Sequence, residues 1–152
     1  MKRRIFLIVS LLIISAIFVW IYDKNNITRL SANFDTSNKN IPTKLSFEVK
    51  KASIYTLKID FTNSNDENKK ELFFAPLTFS MKLVKDKTQI LIDEVYTING
   101  ISGENKDKSV FREINTMLYD PGSYMIEVIS LNDSEKLNKF KPKITILRAN
   151  SK

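Results

Sequence analysis

The chain has 152 residues and a formal net charge of +7, and it contains neither histidine nor cysteine. The absence of both residue types excludes imidazole and thiolate catalysis, disulfides, Fe–S clusters and the usual zinc sites. The basic residues after the N-terminus are scattered and nearly all lysine, whereas nucleic-acid-binding proteins cluster their bases and rely on arginine. We therefore expect no nucleic-acid partner.

The first 22 residues predict a membrane anchor. Three basic residues at positions 2–4 precede an uncharged apolar run from Ile5 to Tyr22. As a helix, this run covers about 27 Å, enough to cross a hydrocarbon core. The basic residues favour a cytoplasmic N-terminus, and Trp20 and Tyr22 suit the aromatic belt at the opposite interface. We expect one transmembrane helix that holds the rest of the chain outside the cytoplasm.

A cleaved signal peptide is the alternative for this segment. The basic start fits it, but the apolar run exceeds the usual length of about 7–15 residues, and small residues are missing at positions −3 and −1 of a cleavage site after the run. Attachment as a lipoprotein is excluded because there is no cysteine. The abundance of Lys, Ile and Asn is typical of an AT-rich bacterial genome. We expect a single-pass protein of the bacterial cytoplasmic membrane, with a periplasmic or extracellular domain.

Residues 23–43 are polar, rich in Asn and Ser, and without sustained periodicity, which predicts a flexible stalk before a domain over 44–149. In most of the domain, apolar and polar residues alternate along the sequence. In Ser53–Phe61 the odd positions from 55 to 61 are apolar, and the even positions 56, 58 and 60 are polar. A strand with this pattern buries one face and places Thr56, Lys58 and Asp60 in water.

Six more segments have the alternation or the β-prone composition of strands. They are 45–49, 79–84, 89–96, 110–114, 123–130 and 144–147. Polar loops and the sharp turn Asp120-Pro121-Gly122 separate them, and a short helical turn is expected over 132–140. Seven short antiparallel strands predict an all-β, Ig-like β-sandwich preceded by the N-terminal transmembrane helix.

The acidic residues do not form a catalytic or metal-binding pattern. Asp93 and Glu94 are neighbours on a predicted strand, so their side chains point to opposite faces and cannot flank one substrate. The acidic pairs in the loops lack the spacing of a calcium site. We expect no enzymatic activity, no cofactor and no metal.

The run Leu72–Leu77 does not alternate and contains a proline. It is either a core-facing edge segment or loop plug, or an exposed patch, including Phe73 and Phe74, that docks a partner.

Arg112 stands in the middle of a predicted strand. It either faces solvent, alone or paired with Glu94 or Glu113, or it anchors a carboxylate of a ligand or partner through its bidentate guanidinium. Tyr119 is a further aromatic candidate. Phe73, Phe74, Arg112 and Tyr119 are therefore the candidate partner-binding residues. A carbohydrate-binding sandwich is disfavoured because the single tryptophan lies in the anchor, and Tyr55 and Tyr124 are expected to face inward.

The segment from Arg112 to Ile146 carries a family resemblance, centred on Leu118-Tyr119-Asp120-Pro121-Gly122-Ser123-Tyr124. It resembles an uncharacterised bacterial family of small exported, membrane-attached β-sandwich domains with a Leu-x-Pro-Gly-x-Tyr turn. Many members are similar to lipoproteins anchored through cysteine, whereas this chain offers a helix instead. The resemblance implies the fold and membrane attachment, and no activity.

The expected function is a membrane-anchored, outward-facing, non-enzymatic binding module of the bacterial envelope. Its expected partners are the membrane, through residues 5–22, and another envelope protein. One version is an immunity-type protein that neutralises an arriving toxin. The alternative is a structural accessory subunit of a membrane complex, in which the helix itself is the interaction element.

Overall fold

The computed structural model describes residues 29–39, 41–64, 69–132 and 135–149. This part of the chain contains nine strands and two short helices. The strands are β1 (Arg29–Asn33), β2 (Thr43–Val49), β3 (Ser53–Phe61), β4 (Leu77–Lys85), β5 (Gln89–Ile98), β6 (Gly103–Glu104), β7 (Val110–Tyr119), β8 (Gly122–Ser130) and β9 (Pro142–Arg148). The helices are α1 (Lys69–Phe74) between β3 and β4, and α2 (Glu135–Asn138) between β8 and β9.

The strands form two antiparallel sheets that pack as a β-sandwich, which confirms the all-β prediction. Sheet A has the order β1-β9-β3-β7-β6, and sheet B has the order β2-β8-β4-β5. The β2–β3 and β7–β8 connections each cross from one sheet to the other. Every strand pair within the described residues is antiparallel.

The core lies between the sheets and follows the period of two. The apolar residues at odd positions in β3, from Tyr55 to Phe61, are at most 2% exposed, as the alternation predicts. Sheet B contributes the same pattern from β2, β4 and β8. Its side chains in the core are Leu45, Phe47, Val49, Leu77, Phe79, Met81, Leu83, Tyr124, Ile126 and Val128.

The connections divide between two ends of the sandwich. The turn end holds the short β2–β3, β4–β5 and β7–β8 connections. The helix end holds α1, α2 and the β5–β6 and β6–β7 connections. Strand β1 enters at the turn end, because Arg29 pairs with Leu147 near the end of β9, and it runs towards the helix end.

The structure corrects the predicted stalk over 23–43. Within that range β1 pairs with β9 from Arg29 to Asn33, and Phe34 is only 2% exposed. The strand escaped prediction because it is short and has only two apolar residues, Leu30 and Ala32, which pack against the core.

The predicted anchor at 5–22 lies outside the described residues. Among the residues from 29 onward that are described, no helix has the length and hydropathy of a membrane span.

Other boundaries also differ from the predictions. Strand β7 continues to Tyr119 instead of ending near 114, and the two-residue strand β6 was not predicted. The run at 72–77 is not an edge segment, because its first three residues complete helix α1. The helical turn expected over 132–140 is present as α2, which is shorter, and Leu137 and Phe140 are both buried there.

Replacing Phe34 with alanine tests whether this part of the predicted stalk belongs to the core. The rings of Phe34 and Phe79 meet edge-to-face, with centroids 6.3 Å apart. We expect Phe34→Ala to lower the free energy of unfolding in urea by about 3–5 kcal/mol, because it leaves a cavity. The matched control is Phe74→Ala, the same truncation at a side chain that is 79% exposed. Similar small effects of both changes would place Phe34 outside the cooperative core.

Candidate functional site

Helix α1 presents two aromatic side chains at the helix end of the sandwich. Leu72 is fully buried, whereas Phe73 is 51% and Phe74 is 79% exposed. The two phenylalanine rings meet edge-to-face with centroids 5.3 Å apart. Pro76 stops the helix, because it has no amide hydrogen and disfavours helical backbone in the residue before it. Phe73, Phe74 and Pro76 form what we call the aromatic patch.

The aromatic patch stands between two grooves. One groove, of about 500 Å³, lies between α1 and α2 and is lined by Glu71, Phe74, Ala75, Pro76, Asn132, Lys136 and Leu137. The other, of about 540 Å³, is lined by Phe73, Phe74, Pro76, Asn99 and Gly100. Since Phe74 and Pro76 line both grooves, the patch is a ridge with a cleft on either side.

Two ion pairs involve helix α1, which carries the phenylalanines of the aromatic patch. The ammonium of Lys69 lies 2.9 Å from a carboxylate oxygen of Glu104, and Lys139 pairs with Glu71. All four side chains are partly exposed. Helix α1 therefore carries exposed aromatic side chains together with charged side chains, and protein–protein interfaces combine an apolar centre with a polar rim.

Arg112 lies directly beneath α1 and is only 1% exposed. Its partner in the β3–β7 register is Ile59, a fully buried core residue, and paired residues of antiparallel strands point to the same face. The guanidinium therefore enters the space between the sheets. There its central carbon lies 5.3 Å from the centroid of the Phe61 ring.

The nitrogens of Arg112 donate hydrogen bonds to three backbone carbonyl oxygens. Nε donates to Gly100 at 2.6 Å, Nη1 donates to Ile98 at 3.3 Å, and Nη2 donates to Leu72. Burial lowers the pKa of Arg112 to about 10, so the group remains a cation at neutral pH. The expectation that Arg112 faces solvent or pairs with Glu94 or Glu113 is wrong.

These bonds join α1 to the β5–β6 connection. A further hydrogen bond, from the amide of Gly100 to the carbonyl of Phe73, measures 3.1 Å. Gly100 has a φ of +74°, in the left-handed region that glycine tolerates best. Arg112 is thus a positioning residue, because it fixes the backbone that carries Phe73 and Phe74 without reaching the surface itself.

Substituting Arg112 tests this positioning role. We expect Arg112→Met to lower the free energy of unfolding by about 2–4 kcal/mol, because three backbone carbonyl oxygens lose their donors. The control is Lys82→Met, which removes an exposed cation paired with Asp93 at 3.8 Å. That change is expected to alter stability by less than about 1 kcal/mol. Urea denaturation of both variants gives the comparison, and equal losses would contradict the role.

Tyr119 lies at the opposite, turn end and is 2% exposed, so its selection as a surface candidate is wrong. Its ring centroid is 5.0 Å from that of Tyr124, 5.5 Å from that of Tyr55 and 5.8 Å from that of Phe47. Burial raises the pKa of the Tyr119 hydroxyl well above its usual range. The structure therefore brings Phe73, Phe74 and Arg112 together and leaves Tyr119 in the core.

The outer face of sheet A contains a buried group of polar side chains that the alternation did not reveal. Lys58 is 4% exposed and Asp60 is fully buried, and both contact Asn105 from the β6–β7 connection. These three residues form what we call the polar cluster. Both β3 residues lie on the outer face as predicted, but the Phe111 ring, with its centroid 4.2 Å from Lys58 Nζ, covers them.

The carboxyl group of Asp60 is held as an anion. Burial alone raises its pKa, but hydrogen bonds from Asn105 and Lys58 outweigh burial, so that the pKa is lowered. Arg29 reaches the second carboxylate oxygen at 3.2 Å. Within the described ranges, no cluster of three or more acidic side chains could hold a metal ion.

Comparison with solved structures supports the fold. A crystal structure of a protein from Sulfurospirillum deleyianum matches with a TM-score of 0.67 at 13% identity, covering 83% of this chain and 99% of that one. A family 35 carbohydrate-binding module from Clostridium thermocellum matches with a TM-score of 0.38 at 13% identity, covering 82% and 90% of the two chains. A ruminal GH26 endo-β-1,4-mannanase gives 0.40 at 12% identity, covering 75% and 19%. The first match shows a shared fold, and the last two are too distant to bear on function.

Sequence comparison places the chain in a family. No curated protein matches the sequence significantly. A family model matches residues 31–148, which includes all of β2 to β9 and most of β1. This agrees with the resemblance to an uncharacterised family. The chain belongs to the family of domains of unknown function designated DUF5625.

Proposed function

We propose that this protein is a membrane-anchored, outward-facing, non-enzymatic binding module of the bacterial envelope, and that its aromatic patch binds another envelope protein. The observation that carries the proposal is the pair of exposed phenylalanines on α1, 51% and 79% exposed, above the buried Arg112. Exposed aromatic side chains held on a fixed backbone lose little conformational entropy when a partner covers them.

The shape of the patch indicates the kind of partner. A ridge between two grooves fits a partner surface that offers an apolar cleft with flanking side chains. Aromatic residues at the centre of an interface commonly dominate its affinity, while charged pairs at the rim contribute orientation. An immunity-type protein that blocks an arriving toxin is one form of this function, because such a protein needs a binding surface and no catalytic residues.

Site-specific cross-linking in the native cells tests the patch. A photoreactive phenylalanine analogue replaces Phe74 in the full-length chain and, as the control, Leu118, which is 58% exposed on β7. We expect position 74 to capture one envelope protein that position 118 does not capture. Equal capture from both positions, or no capture from 74, would count against the patch.

Substitution within the patch gives a second readout. We expect the double change Phe73→Ser and Phe74→Ser to reduce recovery of that partner by about tenfold or more, because aromatic anchors dominate interface energies. Leu118→Ser provides the matched control and retains the partner. Undiminished recovery with both phenylalanines replaced would contradict the proposal.

Exchanging the apolar segment 5–22 distinguishes a binding module from the alternative function, a structural accessory subunit of a membrane complex. When an unrelated membrane-spanning sequence replaces residues 5–22, a binding module keeps its partner through the patch. Loss of the partner after this exchange, with the domain unchanged, would assign the interaction to the segment itself.

A further inference from the structure

The polar cluster on the outer face of sheet A holds an amine, a carboxamide and a carboxylate in mutual contact. We propose that Lys58 and Asn105 become joined by an intramolecular isopeptide bond, and that Asp60 carries the protons for this reaction. The bond would be a self-catalysed modification of the folded domain and does not depend on the binding function proposed above.

The atoms that would react are already close. Lys58 Nζ lies 2.7 Å from Asn105 Oδ1, which places the adjacent carbon Cγ near the attack distance of about 3–3.5 Å. At present the amine meets the oxygen of the carboxamide. Attack requires the face of the carboxamide to turn towards the amine, by rotation about the Cβ–Cγ bond of Asn105.

One oxygen of Asp60 contacts both nitrogen atoms involved. Asp60 Oδ1 lies 2.9 Å from Lys58 Nζ, the attacking nitrogen, and 3.0 Å from Asn105 Nδ2, the leaving nitrogen. A single carboxylate can therefore take a proton from the first and deliver it to the second. Arg29 occupies the other oxygen, Oδ2, at 3.2 Å and so keeps Oδ1 directed at the two nitrogens.

The reaction balances without any external reagent. Asp60 accepts a proton from the Lys58 ammonium, and the freed lone pair forms a bond to Asn105 Cγ. As the tetrahedral centre collapses, the bond from Cγ to Nδ2 breaks and Asp60 returns the proton to the departing nitrogen. The attacking nitrogen then loses its second proton to the released ammonia. Overall, one ammonium and one carboxamide give one secondary amide and one ammonium ion, and Asp60 ends as a carboxylate.

The surroundings favour attack by the amine over attack by water. Lys58 is only 4% exposed, and the Phe111 ring covers Nζ at 4.2 Å. Gly103 makes this cover possible, because a Cβ there would lie 2.7 Å from Phe111 Cζ.

The bond would close a large covalent loop. It joins β3 to the β6–β7 connection across 47 positions of the sequence. A cross-link of this kind restricts the unfolded chain in the way that a disulfide does, and this chain has no cysteine with which to form one.

Mass spectrometry of the full-length protein purified from expressing cells tests the proposal. We expect an intact mass about 17 Da, one ammonia, below that of the unmodified chain with its observed N-terminus. Tryptic digestion should give a branched peptide that joins the segment around Lys58 to the segment ending at Lys106. Lys58→Met, Asn105→Ala and Asp60→Asn should each restore the unmodified mass, whereas the control Lys69→Met should keep the deficit.

The decisive measurement is on the unsubstituted protein and does not depend on how the variants fold. An unmodified mass would overturn the proposal. A deficit of one ammonia without the branched peptide would also overturn it, because cyclisation of an asparagine to a succinimide loses the same mass.

Discussion

The guanidinium of Arg112 is buried without a carboxylate, so backbone carbonyl oxygens have to balance its charge. Desolvating a cation costs several kcal/mol unless its donors are satisfied. Here the oxygens come from two separate segments, the last turn of α1 and the start of the β5–β6 connection. Because both segments supply oxygens to the same group, neither can move independently. The C-terminal carbonyls of a helix also carry partial negative charge, which makes them suitable partners.

The sequence predicted the sandwich because strand periodicity is local. In β3 the odd positions from Tyr55 to Phe61 are buried and the even positions lie on the other face. The same pattern could not predict that the outer face would be covered. Lys58 and Asp60 are buried by Phe111 and by the loop that carries Asn105, which are about fifty residues away in the chain. Alternation assigns a residue to a face and gives no information about what packs on it.

The sequence pattern indicates only part of the candidate site, because the contacts of its residues depend on distant segments of the chain. The run at 72–77 breaks the alternation, and this departure singles out Phe73 and Phe74, both of which are exposed in the structure. Arg112 was also singled out, but its role depends on carbonyl oxygens of residues 72, 98 and 100, which only the assembled fold brings together. Tyr119 lies next to a polar turn in the sequence, yet three aromatic neighbours enclose it. Strand β1 has too few apolar residues for its pattern to be recognised.

The entry of β1 at the turn end determines how the domain would be displayed on a membrane. If residues 5–22 span the bilayer, only 23–28 separate the span from Arg29, and six residues reach at most about 21 Å. The turn end is then held close to the lipid. A nine-residue strand such as β3 is about 30 Å long, so the aromatic patch lies roughly that far from the end at which β1 enters. With the turn end tethered, the opposite end that carries the patch is the part of the domain that a partner projecting from the membrane or arriving from outside the cell can approach.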